Sequence, residues 1–250
     1  LSDGTVAITG YMDNKGFALK RIDLAAKSFG EDIALPYNVY DVYPGGGEYL
    51  CTMGDGNNLY GLRADTQESE KLLNWINCDI SGDSLGNITV LPDGRIFCTS
   101  YNWQESGAQY EMVLLTKQDA SSMPEKTVLT MATLYLDYNL RNAIIEFNKS
   151  NDKYRIQVND YSEYNTEDDY TAGLTKLSTE IISGTVPDLL DVTSLPVKQY
   201  AAKGLLEDLY PYIDNDPELS REDFFKSVFS ALEMDGKLYQ ASASFSVTTV

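Results

Sequence analysis

The chain has 250 residues, of which 43% are hydrophobic and 23% charged, a balance typical of a folded globular protein. A formal net charge of −19 repels phosphate backbones and anionic lipid, so nucleic acid is not expected as a partner. Histidine is absent, which excludes Ser-His-Asp and Cys-His nucleophiles, and no apolar run is long enough to predict direct membrane insertion.

The first half of the chain reads as a repeated β unit. The three segments Gly4–Asp23, Gly47–Asp65 and Gly94–Asp119 each contain an apolar strand, a polar turn and a second strand that ends in aspartate. Their spacing of about 40 to 50 residues is that of a propeller blade, but three blades are too few for a closed ring. We predict a β module of antiparallel, propeller-like blades over residues 1–122, with a twisted open antiparallel sheet as the alternative.

Turn residues separate the two strands of each unit. The predicted turns are Met12–Gly16, Gly54–Asn58 and a longer one at Tyr101–Gln109. Leu91–Arg95 has the composition of a further strand–turn–strand signature. The aspartates that end the second strands are interpreted as turn-capping groups and not as calcium ligands, because they are spread one per repeat.

The three cysteines show no metal-binding or redox spacing. Cys51 and Cys98 occur in matching strand contexts, where the first repeat has Ile8. A position that accepts cysteine or isoleucine is predicted to be a buried apolar strand position with a free thiol.

A polar segment with a proline, Asp119–Lys126, predicts a linker, after which strands and helices alternate. Strands are predicted at 127–132, 154–158 and 188–192. Helices are predicted from two apolar faces, Leu140/Ala143/Ile144/Phe147 and Leu174/Leu177/Ile181/Ile182, the second ending at Gly184. This order predicts an α/β unit over residues 126–250 with a mainly parallel sheet, whose ligands would lie beyond the carboxyl ends of its strands. The loops at those ends are 133–139, 160–164 and 193–197.

Several motifs of this half occur together in one family. Gly184-Thr-Val-Pro187-Asp188 precedes a helix that ends in Gly204-Leu-Leu, and a capping box at Ser220 leads to the hairpin Asp235-Gly236-Lys-Leu-Tyr. In this order, residues 126–250 resemble the first part of a bacterial extracellular solute-binding protein of family 1, the sugar-uptake type. The resemblance implies an α/β lobe of the periplasmic-binding-protein-like fold.

The resemblance also implies a function and a location. The parent protein would bind a sugar or oligosaccharide, deliver it to the membrane permease of an ABC transporter and perform no catalysis. It would be extracellular and lipid-anchored at the cell surface, with the signal and anchor before Leu1. A second lobe would follow Val250, so this chain by itself is expected to bind solute weakly or not at all.

Candidate ligand-binding residues follow from the loop positions. Carboxylates and aromatic faces suit carbohydrate hydroxyls and rings. The expected contacts are Tyr135, Asp137, Tyr138, Thr193, Ser194, Ser244 and Phe245. Asp137 has a second interpretation as the N-cap of the following helix. No cofactor or metal is expected, and the acidic run Glu163–Asp169 is interpreted as a solvated helix start.

Two other classes of function remain as alternatives. In one, the protein is an interaction or sensory module whose blades bind a partner and whose α/β half is a spacer. In the other, it is a carbohydrate-active enzyme, which would need two carboxylates held across a sugar, and no motif indicates such a pair.

Overall fold

The β module consists of three separate antiparallel sheets that follow one another along the chain. The computed structural model describes residues 1–12, 16–36, 38–104, 107–119 and 125–242. The strands are β1 Val6–Met12, β2 Gly16–Asp23 and β3 Ser28–Ala34 in the first sheet; β4 Asp41–Pro44, β5 Tyr49–Gly54, β6 Asn58–Arg63 and β7 Ser69–Asn74 in the second; and β8 Leu85–Val90, β9 Ile96–Gln104 and β10 Gly107–Leu115 in the third. Across these ranges the sheets form no closed propeller.

Two turns of the module are closed by aspartate side chains that accept hydrogen bonds from backbone N–H groups. Asp55 accepts hydrogen bonds from the backbone N–H groups of Asn57 (2.9 Å) and Asn58 (2.6 Å), which closes the β5–β6 turn. Asp23 likewise accepts from two backbone N–H groups of the turn after β2, so its capping role is confirmed. The predicted long turn at 101–109 is wrong: β9 continues to Gln104 and β10 resumes at Gly107, with residues 105–106 outside the described ranges. The polar composition of residues 101–109 is typical of a turn, so it did not indicate that these strands are paired.

Apolar side chains join neighbouring sheets of the module. One cluster lies between the first and second sheets and includes Cys51, and another lies between the second and third and includes Trp75 and Cys98. Burial raises the pKa of both thiols to about 11, so they are protonated at neutral pH, and both cysteines are free as predicted. Ile8, expected to be buried like them, is 43% exposed because β1 is an edge strand.

The second half contains a parallel sheet with helices on both faces. Its elements are β11 Thr127–Thr133, α1 Tyr138–Ser150, β12 Tyr154–Asp160, α2 Ala172–Ser183, β13 Leu189–Leu190, α3 Val197–Ala202, α4 Tyr210–Asn215, α5 Lys226–Leu232, β14 Glu233–Met234 and β15 Lys237–Leu238. β11 pairs in parallel with both β12 and β13. The predicted parallel sheet is therefore confirmed, in the order β12-β11-β13. Within the described part of the chain, no helix has the length and apolar character needed to cross a membrane.

The buried face of α1 is rotated from the predicted one. Ala143 is exposed, whereas Arg141, Ile145 and Asn148 are buried. The cause is the β module, whose Ile76 packs into the same core cluster as Ile144 and Ile145. The 3.6-residue period identifies the apolar stripe of the helix but not the polar residues that face the module. On α2, Ile182 is 77% exposed and only the other members of its predicted face turn inward.

Two asparagine side chains cover the outer edge of β12. Asn148 on α1 accepts from the Ile156 backbone N–H (2.7 Å) and donates to the Ile156 carbonyl (2.9 Å). Asn77 of the β module makes the same pair of bonds, each 3.0 Å, with Val158. The amides thus replace the hydrogen bonds of a neighbouring strand and satisfy an edge that would otherwise be open to pairing.

The motifs that carry the family resemblance are scaffold features. Gly184 follows α2 with a φ of 93°, and Asp235 and Gly236, with φ of 53° and 76°, form the turn between β14 and β15. Ser220 and Asp223 form the predicted capping box. These residues shape turns and helix ends.

Asp188, at the start of β13, gives the fold a pH dependence that can be measured. Its carboxylate accepts from both the backbone N–H and the hydroxyl of Thr130, each at 2.8 Å, and these bonds lower the pKa of Asp188 below its ordinary value of 3.8. A lowered pKa contributes stability that is present above the unfolded value and lost as pH falls through the folded one. We expect Asp188→Asn to unfold with a weaker pH dependence than the parent below about pH 4, measured by urea denaturation at stepped pH. Equal slopes for the two proteins would contradict this role.

Candidate functional site

The strand order of the α/β lobe places a topological switch point between β11 and β13. From β11 the chain crosses through α1 to β12 on one side, then through α2 to β13 on the other, so the connections diverge there. Parallel sheets bind ligands at such a switch point, beyond the carboxyl ends of the strands. The loops that border it are those after β11 and after β13, and we call residues 134–137 and 191–195 the switch-point loops.

A hydrogen-bond network centred on Asp191 joins the two switch-point loops. Asp191 accepts from the buried Thr133 hydroxyl (2.9 Å) through one carboxylate oxygen, and from the Thr193 backbone N–H (3.0 Å) and hydroxyl (2.6 Å) through the other. The Thr133 hydroxyl in turn accepts from the Tyr135 N–H at 3.1 Å. One carboxylate therefore sets the conformation of both loops, so the residues they expose have fixed positions.

The structure brings some of the predicted ligand residues together. Tyr135 is 73% exposed, and Thr193 and Ser194 are exposed on the facing loop. Asp137 is the N-cap of α1, since its carboxylate accepts from the N–H groups of Asn139 (2.8 Å) and Leu140 (3.3 Å). This is the capping role that its second interpretation expected.

The other predicted residues are placed elsewhere. Tyr138 lines a separate polar cavity of about 160 Å³ against the third sheet of the module, together with Ser100, Tyr101 and Asn142. Ser244 and Phe245 lie outside the described residues. The candidate surface therefore consists of Tyr135, Thr193 and Ser194 on the switch-point loops.

The β module covers the carboxyl end of β12, the third of the predicted ligand loops. Asn57, in the β5–β6 turn, donates to the Asp160 carboxylate at 3.0 Å, and Lys71 pairs with Glu163 at 2.7 Å. Burial raises the pKa of Asp160, and its hydrogen bonds from Ser162 act in the opposite direction. The enclosed space between module and lobe there measures about 10 Å³, room for one water molecule. This end of the sheet is closed to a solute.

Sequence reasoning missed Thr133 and Asp191 as positioning residues. Both stand at the ends of predicted strands, and a polar residue at that position is the signal that could have marked them. Their spacing in sequence gave no sign of the bond between them. In the described ranges, no group of three or more Cys, Asp or Glu side chains has an arrangement that could hold a metal ion.

A comparison with known proteins finds similarity to part of this chain among solved structures. No protein-family model matches the chain, and no curated protein matches it. Among solved structures, it is similar to the ABC substrate-binding protein Lmo0181 from Listeria monocytogenes in complex with cycloalternan, with 30% identity and a TM-score of 0.35. The match covers 46% of this chain and spans 28% of that one.

Proposed function

We propose that the α/β lobe binds a small carbohydrate through the switch-point loops, as the solute-binding component of an uptake system. The observation that carries the proposal is the Asp191 network, which fixes two loops at a topological switch point, one exposing Tyr135 and the other exposing Thr193 and Ser194. An aromatic face packs on a sugar ring, while hydroxyl groups exchange hydrogen bonds with sugar hydroxyls. A permease partner and an extracellular location belong to the same proposal.

The surface also suits a carbohydrate better than an anionic solute. Within the described part of the switch-point loops, no Lys or Arg side chain is present, and the one network charge is the Asp191 carboxylate. A phosphate or carboxylate ligand would need cationic or helix-terminal donors in its place. The neutral hydroxyl groups of a sugar are not repelled by the Asp191 carboxylate.

The first test is a titration of the isotope-labelled chain with cycloalternan and maltotriose, followed by two-dimensional amide NMR. We expect shifts at residues 134–137 and 191–195, with a dissociation constant of about 1 mM or weaker, because a few exposed side chains on an open surface make few contacts with a solute. Tyr135→Ala should weaken binding about fivefold, the equivalent of one aromatic contact. Tyr212→Ala, at a similarly exposed tyrosine of α4, is the matched control.

The outcomes of that titration are distinct. Shifts confined to the switch-point loops, with an affinity that Tyr135→Ala lowers about fivefold and Tyr212→Ala leaves unchanged, would support the proposal. Shifts that are absent up to the solubility limit of both sugars, or that Tyr135→Ala leaves unchanged, would contradict it.

One observation favours the alternative of a protein-interaction module. The edge strand β10 exposes Tyr110, Met112 and Leu114 at alternate positions, and these residues therefore share one face of the third sheet. Contiguous exposed apolar side chains commonly mark protein contacts. Absence of sugar binding together with self-association that Met112→Glu abolishes, measured by sedimentation velocity, would favour this function.

A further inference from the structure

A second concave surface lies between the β module and the segment that precedes α2. The cleft encloses about 620 Å³, within the range of small-molecule sites, and shares no residue with the switch-point loops. The side chains that give it chemical character are three aromatic rings and three carboxylates. We call this surface the acidic aromatic cleft: Tyr11, Phe17, Tyr40, Asp55, Glu167 and Asp168.

Two of the three aromatic residues of the cleft, Tyr11 and Tyr40, are largely exposed, whereas Phe17 packs partly against the core of the module. Tyr11 and Phe17 stand edge to face, with ring centroids 5.7 Å apart and planes at 64°. Tyr11 is 84% exposed and Tyr40 61% exposed, although aromatic rings ordinarily gain from burial. Tyr40 also lines an adjoining cavity of about 270 Å³, which contains Tyr43 and Asp41. Tyr40 thus connects two cavities that are both lined by aromatic and acidic side chains.

Over the described residues that line it, the charge of the cleft has one sign. No Lys or Arg is among the described residues that line it. Asp55 is held rigidly, because its oxygens also accept from the Asn58 amide (3.0 Å) and the Tyr60 hydroxyl (2.9 Å). Glu167 lies so close to Gly16 that a Cβ there would approach its carboxylate oxygen to 2.6 Å. Neither Glu167 nor Asp168 forms a hydrogen bond or ion pair with the described residues.

Carboxylates in and beside the cleft also act on Tyr40, which is itself one of the cleft residues. The pKa of Tyr40 is raised, first by burial and then by the nearby carboxylates of Asp41, Asp55 and Asp83. A concave surface with one sign of charge concentrates ions of the opposite sign, and the net charge of −19 adds to the effect.

We infer that the acidic aromatic cleft binds an organic cation that carries more than one amine on an apolar chain. Ammonium groups are attracted to aromatic faces and to free carboxylates, and an apolar chain between them covers the ring surface. The two adjoining cavities that share Tyr40 favour an elongated ligand over a compact one. A neutral sugar would leave the Glu167 and Asp168 charges uncompensated, and an anion would be repelled.

The test is isothermal calorimetry of the whole chain with spermidine, a linear triamine, and with 1,8-octanediol, a neutral chain of similar length. We expect spermidine to bind and octanediol to bind at least about tenfold more weakly. Tyr40→Ala and Glu167→Gln should each weaken spermidine binding about fivefold to tenfold, and the affinity should fall with added salt. Circular dichroism of each variant checks that the fold is intact.

Two matched controls separate the cleft from the general charge of the protein. Glu146→Gln removes the same charge from the exposed side of α1, and Tyr212→Ala removes a tyrosine of similar exposure from α4. Both should leave spermidine binding unchanged, as should Tyr135→Ala. Equal weakening by Glu146→Gln and Glu167→Gln, or equal binding of octanediol and spermidine, would overturn the inference. Because Tyr135→Ala separates the two surfaces, the carbohydrate proposal and this one can fail independently.

Discussion

Asn148→Ala is expected to lower the free energy of unfolding by about 2–4 kcal/mol, because it leaves two partly buried backbone groups without partners. Asn148 is 1% exposed, and its amide is bonded to both the N–H and the carbonyl of Ile156. It also donates to the Asp79 carboxylate of the β module at 3.2 Å. Alanine restores none of these bonds, and the space it leaves is enclosed by protein. Urea denaturation followed by far-UV circular dichroism measures the loss.

The same substitution elsewhere on α1 provides the control. Asn139 is exposed near the start of the helix, where its side chain makes no hydrogen bond that the structure shows, so Asn139→Ala should change stability by less than about 0.5 kcal/mol. The difference between the two variants isolates the edge bonds from any general effect of alanine on helix propensity. If the two variants lost the same stability, the Asn148 amide would have no special role at the edge of β12.

Ile76→Ala is expected to cost about 3 kcal/mol and to destabilise both halves of the chain together. Ile76 belongs to the β module by sequence, yet it is 6% exposed within the core cluster of Met131, Ile144 and Val158. The adjoining Asp79 forms a 2.8 Å ion pair with Arg155 on β12, so the segment is attached to the lobe by charge as well as by packing. A truncated side chain would leave a cavity where the two halves meet.

Two spectroscopic signals can follow the halves separately. All of the described α-helices lie in the lobe, whereas both tryptophans of the chain, Trp75 and Trp103, lie in the β module. We expect the helix circular dichroism and the tryptophan fluorescence to shift to the same lower denaturant midpoint in Ile76→Ala. Ile182→Ala, at a 77% exposed position of α2, should leave both midpoints unchanged. A fluorescence midpoint that stays in place while the helix signal moves would show that the halves unfold independently.

The contact between the halves also bears on the division at residues 122–126. The sequence predicts two units, because the periodicity changes there, and the structure does show antiparallel sheets before the boundary and a parallel sheet after it. Across the interface, however, Asn57, Asn77 and Asp79 supply bonds to β12 and its flanking residues that no local pattern revealed. The unfolding experiment above is therefore also the test of that division.

Local pattern determined the elements of this protein. Alternation and turn chemistry identified most of the strand pairs of the module, and the 3.6-residue period located α1 and α2. The glycine with positive φ after α2 and the Asp235-Gly236 turn followed from the same reasoning, since backbone conformation there depends on the residue itself. The free, buried thiols at Cys51 and Cys98 were evident because matching repeats place them in equivalent strands.

Tertiary structure alone decided which faces and loops are available. The buried face of α1 is polar at Arg141 and Asn148 because the module packs on it, and the end of β12 is closed by a turn about 100 residues earlier in the chain. The Asp191–Thr133 bond and the acidic aromatic cleft likewise join segments that are distant in sequence. A local pattern reports how a segment folds, whereas contacts over such separations depend on the packing of complete elements, and this packing is what leaves Tyr135 and Tyr40 exposed to a ligand.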